Sequence, residues 1–354
     1  MTGNQGYGVH PTSYQSLSND QLFSMYSGQH WSGMREADRL ELLQETVNRA
    51  AAAKGELGSC EVRFAPLDSR TLGQKSGSVI ELNQSMFVND KLTHVYNGRL
   101  IEEPLKASNF LALETVLHED IHAWQDQCTD GTIQCANSGL LAEYRANQFT
   151  VSAVPDNMGG IQPGAHYLSG ENGTFGYYLY YFQSSERDAH LFSQKMTAEI
   201  GERLQQRTGF DQSFADYMTH LNGDGYDAVF QKGVQLFGNP NFDKEINQVL
   251  MNQYYGVNKP VDPVIESIVK QEMAESYKAQ IANVNPLQAP VSNSAGDHLG
   301  KEAGIASNAA GQSPNNSESV GSQHSAEQGT GAAAAQAAGS AEIDGGVEDD
   351  NGIE

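Results

Sequence analysis

Apolar residues recur along this chain with two different periods, and the periods mark its elements. Between residues 34 and 54, Leu40, Leu43, Val47 and Ala50 return at three- and four-residue spacing, which predicts a helix begun near Ser32 and stopped by Gly55. "CEVRFAPL" (60–67) alternates instead. So does "GSVIELNQSMF" (76–87), with Val79, Glu81 and Asn83 on one face and Ile80 and Leu82 on the other, and both read as strands. A loop carrying Asn97-Gly98 and Pro104 leads to a second helical pattern over about 108–127, where Phe110, Leu113, Leu117, Ile121 and Trp124 form one stripe. A Gly- and Asn-rich stretch spans 153–176. It is followed by the aromatic run "YYLYYFQ" (177–183), read as a core wall of strand or helix, and by a helix over about 185–206. "DQSFADYMTHL", "YDAVFQKGVQLF", "FDKEINQVLMNQYY" and "PVIESIVKQEMAESYKAQIANV" extend the helical pattern to about 283, and a short helix is expected at "NDQLFSMY". The pattern predicts an α+β protein, mostly helical with a small sheet.

Composition then divides the 354 residues into parts. Only 38% are hydrophobic and 18% charged, and the dilution comes from residues 284–354, which lack aromatic residues and consist mainly of Ala, Gly, Ser, Asn, Gln and Glu. Such a segment cannot bury enough apolar surface to offset its ordering entropy, so an acidic disordered tail is expected there. Residues 1–30 read as a polar leader and 31–283 as the folded domain. The formal charge of −23 makes nucleic acid and anionic membrane surfaces poor partners, and no apolar run is long enough to span a bilayer. The N-terminus shows no basic and apolar signal pattern, and Cys60, Cys128 and Cys135 do not form a disulfide framework, though Cys128 and Cys135 could pair. These features predict a cytoplasmic protein, or one exported by a Sec-independent route.

Candidate chemistry sits inside the second helical stripe. "TVLHEDIHAW" (115–124) holds His118, Glu119 and His122 in the pattern H-E-x-x-H. Residues four apart lie on one helix face, so the two imidazoles can grip one Zn2+, while Glu119 stands beside them as a base for a zinc-bound water. The histidines flank the apolar stripe, as a helix needs when one face is in the core and the next lines a cleft. Chance alone gives about 0.02 such matches in a chain of this composition. A hydrolytic zinc takes three protein ligands. The best third candidate is Glu186 in "YYFQSSERDAHLFS" (180–193), with Glu143 in "EYRANQF" (143–149) as the alternative. His190, one turn beyond Glu186 on the same face, is the group chosen to steady an oxyanion. Asp126 could orient His122 through its second nitrogen, and Cys128 is a minor candidate for a soft ligand.

"LHEDIHAWQ" followed by "YYFQSSERDAHLF" resembles the gluzincin branch of zincin metallopeptidases. More narrowly it resembles bacterial zincin-like domains, some in toxin or effector contexts, with H-E-x-x-H-A-x-Q followed by Q-x-x-E-x-D-A-x-x-F. The likeness covers about residues 35–205. It implies a zincin fold, His118, His122 and Glu186 as zinc ligands, Glu119 as base and Asp188 as a supporting carboxylate. It further implies a protein or peptide substrate, bound along an edge strand for which "SVIELN" (78–83) is the candidate, and an immunity or secretion partner. The alternative is a zincin fold kept for binding or regulation, without catalysis.

Overall fold

The computed structural model of the chain describes residues 6–69, 71–96, 99–150, 153–155, 161–163 and 173–284, with the backbone alone at 94–96, 149–150, 153–155, 161–163 and 275–284. The expected acidic tail lies outside the described residues, apart from Val284. The N-terminal half runs α1 (Asn19–Ser24), α2 (Gly28–Gly33), α3 (Glu36–Lys54), β1 (Glu61–Ala65), β2 (Gly73–Ser76), β3 (Val79–Asn83), α4 (Gln84–Phe87), β4 (Lys91–Tyr96), β5 (Arg99–Pro104) and α5 (Ser108–Thr129). Then come α6 (Ser138–Thr150), β6 (Ala153–Pro155), β7 (Ile161–Pro163), α7 (Phe175–Tyr181), α8 (Ser184–Thr208), α9 (Gln212–Asp224), α10 (Tyr226–Phe237), α11 (Phe242–Tyr255) and α12 (Pro263–Val284). The architecture is α+β and mostly helical with small sheets.

Local chemistry explains most of the boundaries. α3 ends as expected at Gly55, which takes the left-handed conformation at φ 75°. Its start falls at Arg35 rather than near Ser32, because Ser32 belongs to the separate turn of α2. The second predicted strand stops at Asn83. There the side-chain oxygen accepts from Ser85 N at 3.1 Å and turns "QSMF" into a helical turn, which becomes α4. The predicted loop before α5 is a hairpin instead. β4 and β5 pair antiparallel with Tyr96 opposite Arg99, while Asn97 and Gly98 lie outside the described residues.

The main sheet has the order β1-β3-β2, with β1 parallel and β2 antiparallel to β3. The segment 78–83 is therefore the middle strand, with both edges already paired, and cannot offer an edge to an extended substrate. The edges belong to β1 and to β2, a segment whose pattern "GQKS" gave no strand signal. β2 packs closely on α5: a Cβ at Gly73 would come within 2.5 Å of Thr115 Cγ2.

α5 is the axis of the fold and is buried on nearly every side, with Phe110, Leu113, Leu117 and Ile121 all inside. Two aromatic-rich cores flank α8. One gathers α1 to α5, the main sheet, α8 and α9; the other gathers α7, α10, α11 and α12 around Phe182, Tyr226 and Phe242. The tyrosines of 177–181 lie in the second core on a helix, α7. The stretch read as a polar leader joins the first core: Leu22 and Tyr26 are fully buried there. Behind the motif, Asp120 forms a buried ion pair with Lys54, which also meets Glu56 at 3.1 Å and so ties α5 to the end of α3. Among the described residues no helix is long and apolar enough to cross a membrane.

Candidate metal centre

Four side chains converge from two helices. His118 and His122 lie one turn apart on α5, and Glu186 and His190 one turn apart on α8, which packs along it. His118 Nε2 and His122 Nε2 are 3.1 Å apart. The Glu186 carboxylate closes the triangle, with one oxygen 3.4 Å from His118 Nε2 and the other 3.5 Å from His122 Nε2. His190 lies against His118 at a tilt of 56°, ring centroids 4.4 Å apart, and stacks on Tyr181 at 4.1 Å. Donor atoms of His118, Glu186 and His190 lie within 4.8 Å of one another, so these residues form a group able to bind a metal ion. His118, Glu119 and Glu186 are buried, while His122 keeps 19% of its side chain exposed, so solvent reaches the cluster from that side.

The hydrogen bonds around His122 fix what its ring presents. Gln125 donates from Nε2 to Ser185 O at 2.9 Å, which turns its Oε1 toward His122 Nδ1 at 2.8 Å. An amide oxygen only accepts, so Nδ1 carries the proton and Nε2 of the neutral ring presents a lone pair to the triangle. A lone pair facing a carboxylate is unfavourable unless a positive charge lies between them. In the metal-free protein a proton does this: burial disfavours charge on His122, but the Glu186 charge, with Glu119 adding to it, outweighs burial and raises its pKa. Burial likewise pushes Glu186 up, and the two histidines more than reverse it, holding that carboxyl well below the usual range. Glu186 Oε2 still has no hydrogen bond of ordinary geometry.

The remaining predicted residues go elsewhere. Glu143 accepts from Ser184 Oγ and lies 3.8 Å from Arg187, outside the triangle. Asp188, expected beside the site, accepts from Tyr144 Oη at 2.7 Å and pairs with Arg187, because two residues of helix turn it away from Glu186. Asp126 is bound by Lys75 at 2.5 Å and Gln148 at 2.9 Å and leaves the orientation of His122 to Gln125. Cys128 is buried beside Cys135, and all three cysteines are free thiols. Sequence reasoning missed the role of Gln125, although it stands in the quoted pattern. It also missed Glu114, one turn before His118, whose carboxyl burial raises against the opposing effects of His220, Tyr217 and Gln194.

The start of α8 is held from outside. Gln183 at its N-cap makes no side-chain cap; Ser184 N donates to Asn247 Oδ1 at 2.9 Å and Ser185 N to Asn147 Oδ1 at 3.2 Å. Compared with known protein families, curated proteins and solved structures, the chain matches none.

Proposed function

We propose that the chain is a zinc-dependent metallopeptidase of the zincin type, with His118, His122 and Glu186 holding the ion and a protein or peptide as substrate. One observation carries the reading: two imidazole nitrogens 3.1 Å apart face one carboxylate, whose two oxygens lie 3.4 and 3.5 Å from them, around a point that requires positive charge. Zinc ligands stand about 2.0–2.1 Å from the ion, so the edges of its tetrahedron are about 3.3–3.4 Å. Two imidazoles and one carboxylate, with no thiolate, leave a fourth position for water or substrate. When bound, zinc supplies Lewis acidity, lowering the pKa of water and polarising a carbonyl oxygen.

The chain's own groups do the rest. Glu119, buried next to His118 and within electrostatic reach of His122, takes the proton of the attacking water. His190, in ring contact with His118 and Tyr181, is the group that steadies the developing oxyanion in this reading. Among the described residues no strand pairs with the outer edge of β1 or of β2, and β2, which packs on α5, takes over the substrate-pairing role expected of 78–83. Delivery as an effector, with an immunity or secretion partner, rests on the motif resemblance alone.

A second reading has its own observation. If His190 supplied a fourth ligand, as its grouping with His118 and Glu186 allows, the site would be closed and the metal structural. Metal content and cleavage of a denatured-protein library, measured together on wild type and four variants, decide between them. The metallopeptidase reading expects zinc in wild type, Glu119→Gln, Glu143→Ala and His190→Ala, its loss in Glu186→Ala, and no cleavage by Glu119→Gln. Zinc lost in His190→Ala, with no cleavage by wild type, means a structural metal. A wild type without zinc, even after loading, refutes both.

A further inference from the structure

The first turn of any helix leaves backbone N–H groups without partners inside the helix, and a Ser, Thr, Asn or Asp at the N-cap satisfies one or two of them. α8 has Gln183 there, and two of its first-turn donors, Ser184 N and Ser185 N, are satisfied in trans by Asn247 of α11 and Asn147 of α6. Asn247 does more than cap. Its Nδ2 donates to Phe182 O and to Asp243 O, both at 2.8 Å, and its Oδ1 also accepts from Asn147 Nδ2 at 3.2 Å. One buried side chain thus grips the chain on both sides of Gln183 and fixes the point where α7 becomes α8. Asn147, Asn247 and Ser184 are 2%, 4% and 0% exposed, so water cannot replace these bonds.

The gripped residues immediately precede Glu186. Ser185 receives Asn147 at its N–H and Gln125 at its carbonyl, and the same Gln125 orients His122. The position of the Glu186 carboxylate relative to the imidazoles is therefore set by two separate attachments: Gln125 from α5, and the asparagine pair from α6 and α11. We propose that Asn247, supported by Asn147, is a positioning residue for Glu186, so that the C-terminal helices control metal affinity at a site to which they contribute no ligand. This rests on the reading of His118, His122 and Glu186 as a metal centre.

The test is a mutant cycle on the full chain: Asn247→Leu, Asn247→Asp, Asn147→Ala, Glu186→Ala, and Asn247→Leu combined with Glu186→Ala. Zn2+ affinity is measured against a competing chelator, the visible spectrum of the Co2+-loaded protein reports the ligand set, and a crystal structure of the metal-free Asn247→Leu protein locates the carboxylate. Supporting residues around metal ligands typically change affinity by about 10–100-fold. Asn247→Leu should weaken Zn2+ within that range and shift the Co2+ spectrum toward that of Glu186→Ala. In the Glu186→Ala background it should have no further effect on affinity. Asn247→Asp, which keeps the acceptor for Ser184 N, should restore most of the affinity, and Asn147→Ala should cost only a few-fold. An equal loss of affinity in both backgrounds, or wild-type affinity in Asn247→Leu, overturns the proposal; so does a Glu186 carboxylate still within 3.4–3.5 Å of both imidazoles in the variant crystal. If Asn247→Leu does not fold, the Asn147→Ala and Asn247→Asp arms decide. A wild type that binds no Zn2+ refutes the metallopeptidase reading instead, and the carboxylate position in the metal-free crystal then decides the role of Asn247 separately.

Discussion

Gln125→Leu removes a side chain that hydrogen-bonds to both helices of the candidate centre, with little change in volume. The wild-type amide makes two hydrogen bonds, to His122 Nδ1 at 2.8 Å and from its Nε2 to Ser185 O at 2.9 Å, and is 3% exposed. Leucine leaves an N–H and a carbonyl unsatisfied. A buried polar group without its partner costs about 1–3 kcal/mol. Because His122 is part-exposed and its ring can turn to water, the lower half of that range applies to Nδ1, and about 2–5 kcal/mol is expected for the two groups together. That loss appears in the metal-free protein. A second loss appears only with metal: without Gln125 the ring is no longer locked with its Nε2 lone pair facing His118 and Glu186, and an orienting partner of this kind is worth about 10–100-fold in affinity. At 1.36 kcal/mol per tenfold, this removes a further ~1.4–2.7 kcal/mol of metal-linked stabilisation at saturating zinc. Urea unfolding with and without zinc separates the two losses, and chelator competition gives the affinity directly. A variant that is destabilised when metal-free but binds zinc as tightly as wild type would refute the assignment of the His122 proton to Nδ1. It would also remove the lone-pair argument for the metal.

Three further outcomes follow from the same geometry. Burial, with Asp120 adding to it, raises Glu56 from 4.5 to about 7 although Lys54 lies against it. Between those two pH values the folded state keeps a proton that the unfolded state has released, so stability falls as pH rises through the window, by up to about 3 kcal/mol. Chemical denaturation from pH 4.5 to 8 should show a shallower slope in Glu56→Gln than in wild type, with the raised His122 supplying what remains; equal slopes would be contrary. Zinc must displace the proton that the raised His122 holds, so affinity should fall by about tenfold per pH unit once the pH drops below that pKa, and calorimetry in buffers of different ionisation enthalpy should count the released proton. Affinity independent of pH across that range would contradict the lone-pair geometry. Gly201→Ala should destabilise α8, since the new Cβ would stand 2.1 Å from Phe214 Cε2. Overpacking costs about 1–3 kcal/mol against a helix-propensity gain of at most about 1, so a raised Tm would show that Phe214 moves aside freely.

What the sequence determined by itself was what depends on neighbours within a few residues. The period of Leu113, Leu117 and Ile121 made α5 a helix, and that spacing alone put His118 and His122 on one face. Gly55 stopped α3 because its left-handed conformation is cheap only for glycine. The helical C-terminal segments followed from the same periodicity. Tertiary structure decided whatever required two distant segments to meet. It brought the Glu186 carboxylate, and not that of Glu143, beside His118 and His122, because α8 lies along α5 while the Glu143 carboxylate is occupied by Ser184 and Arg187. Strand order made 78–83 a central strand, and its alternation could not reveal that, since alternation specifies faces and leaves neighbours open. The stretch before residue 31 looked polar until Leu22 and Tyr26 found a core supplied by other elements. Asn247 carried no signal at all. An asparagine in a helix reads as weakly unfavourable there, and its purpose emerges only where α11 meets the uncapped end of α8, because hydrogen bonds to backbone across a fold leave no period in the sequence.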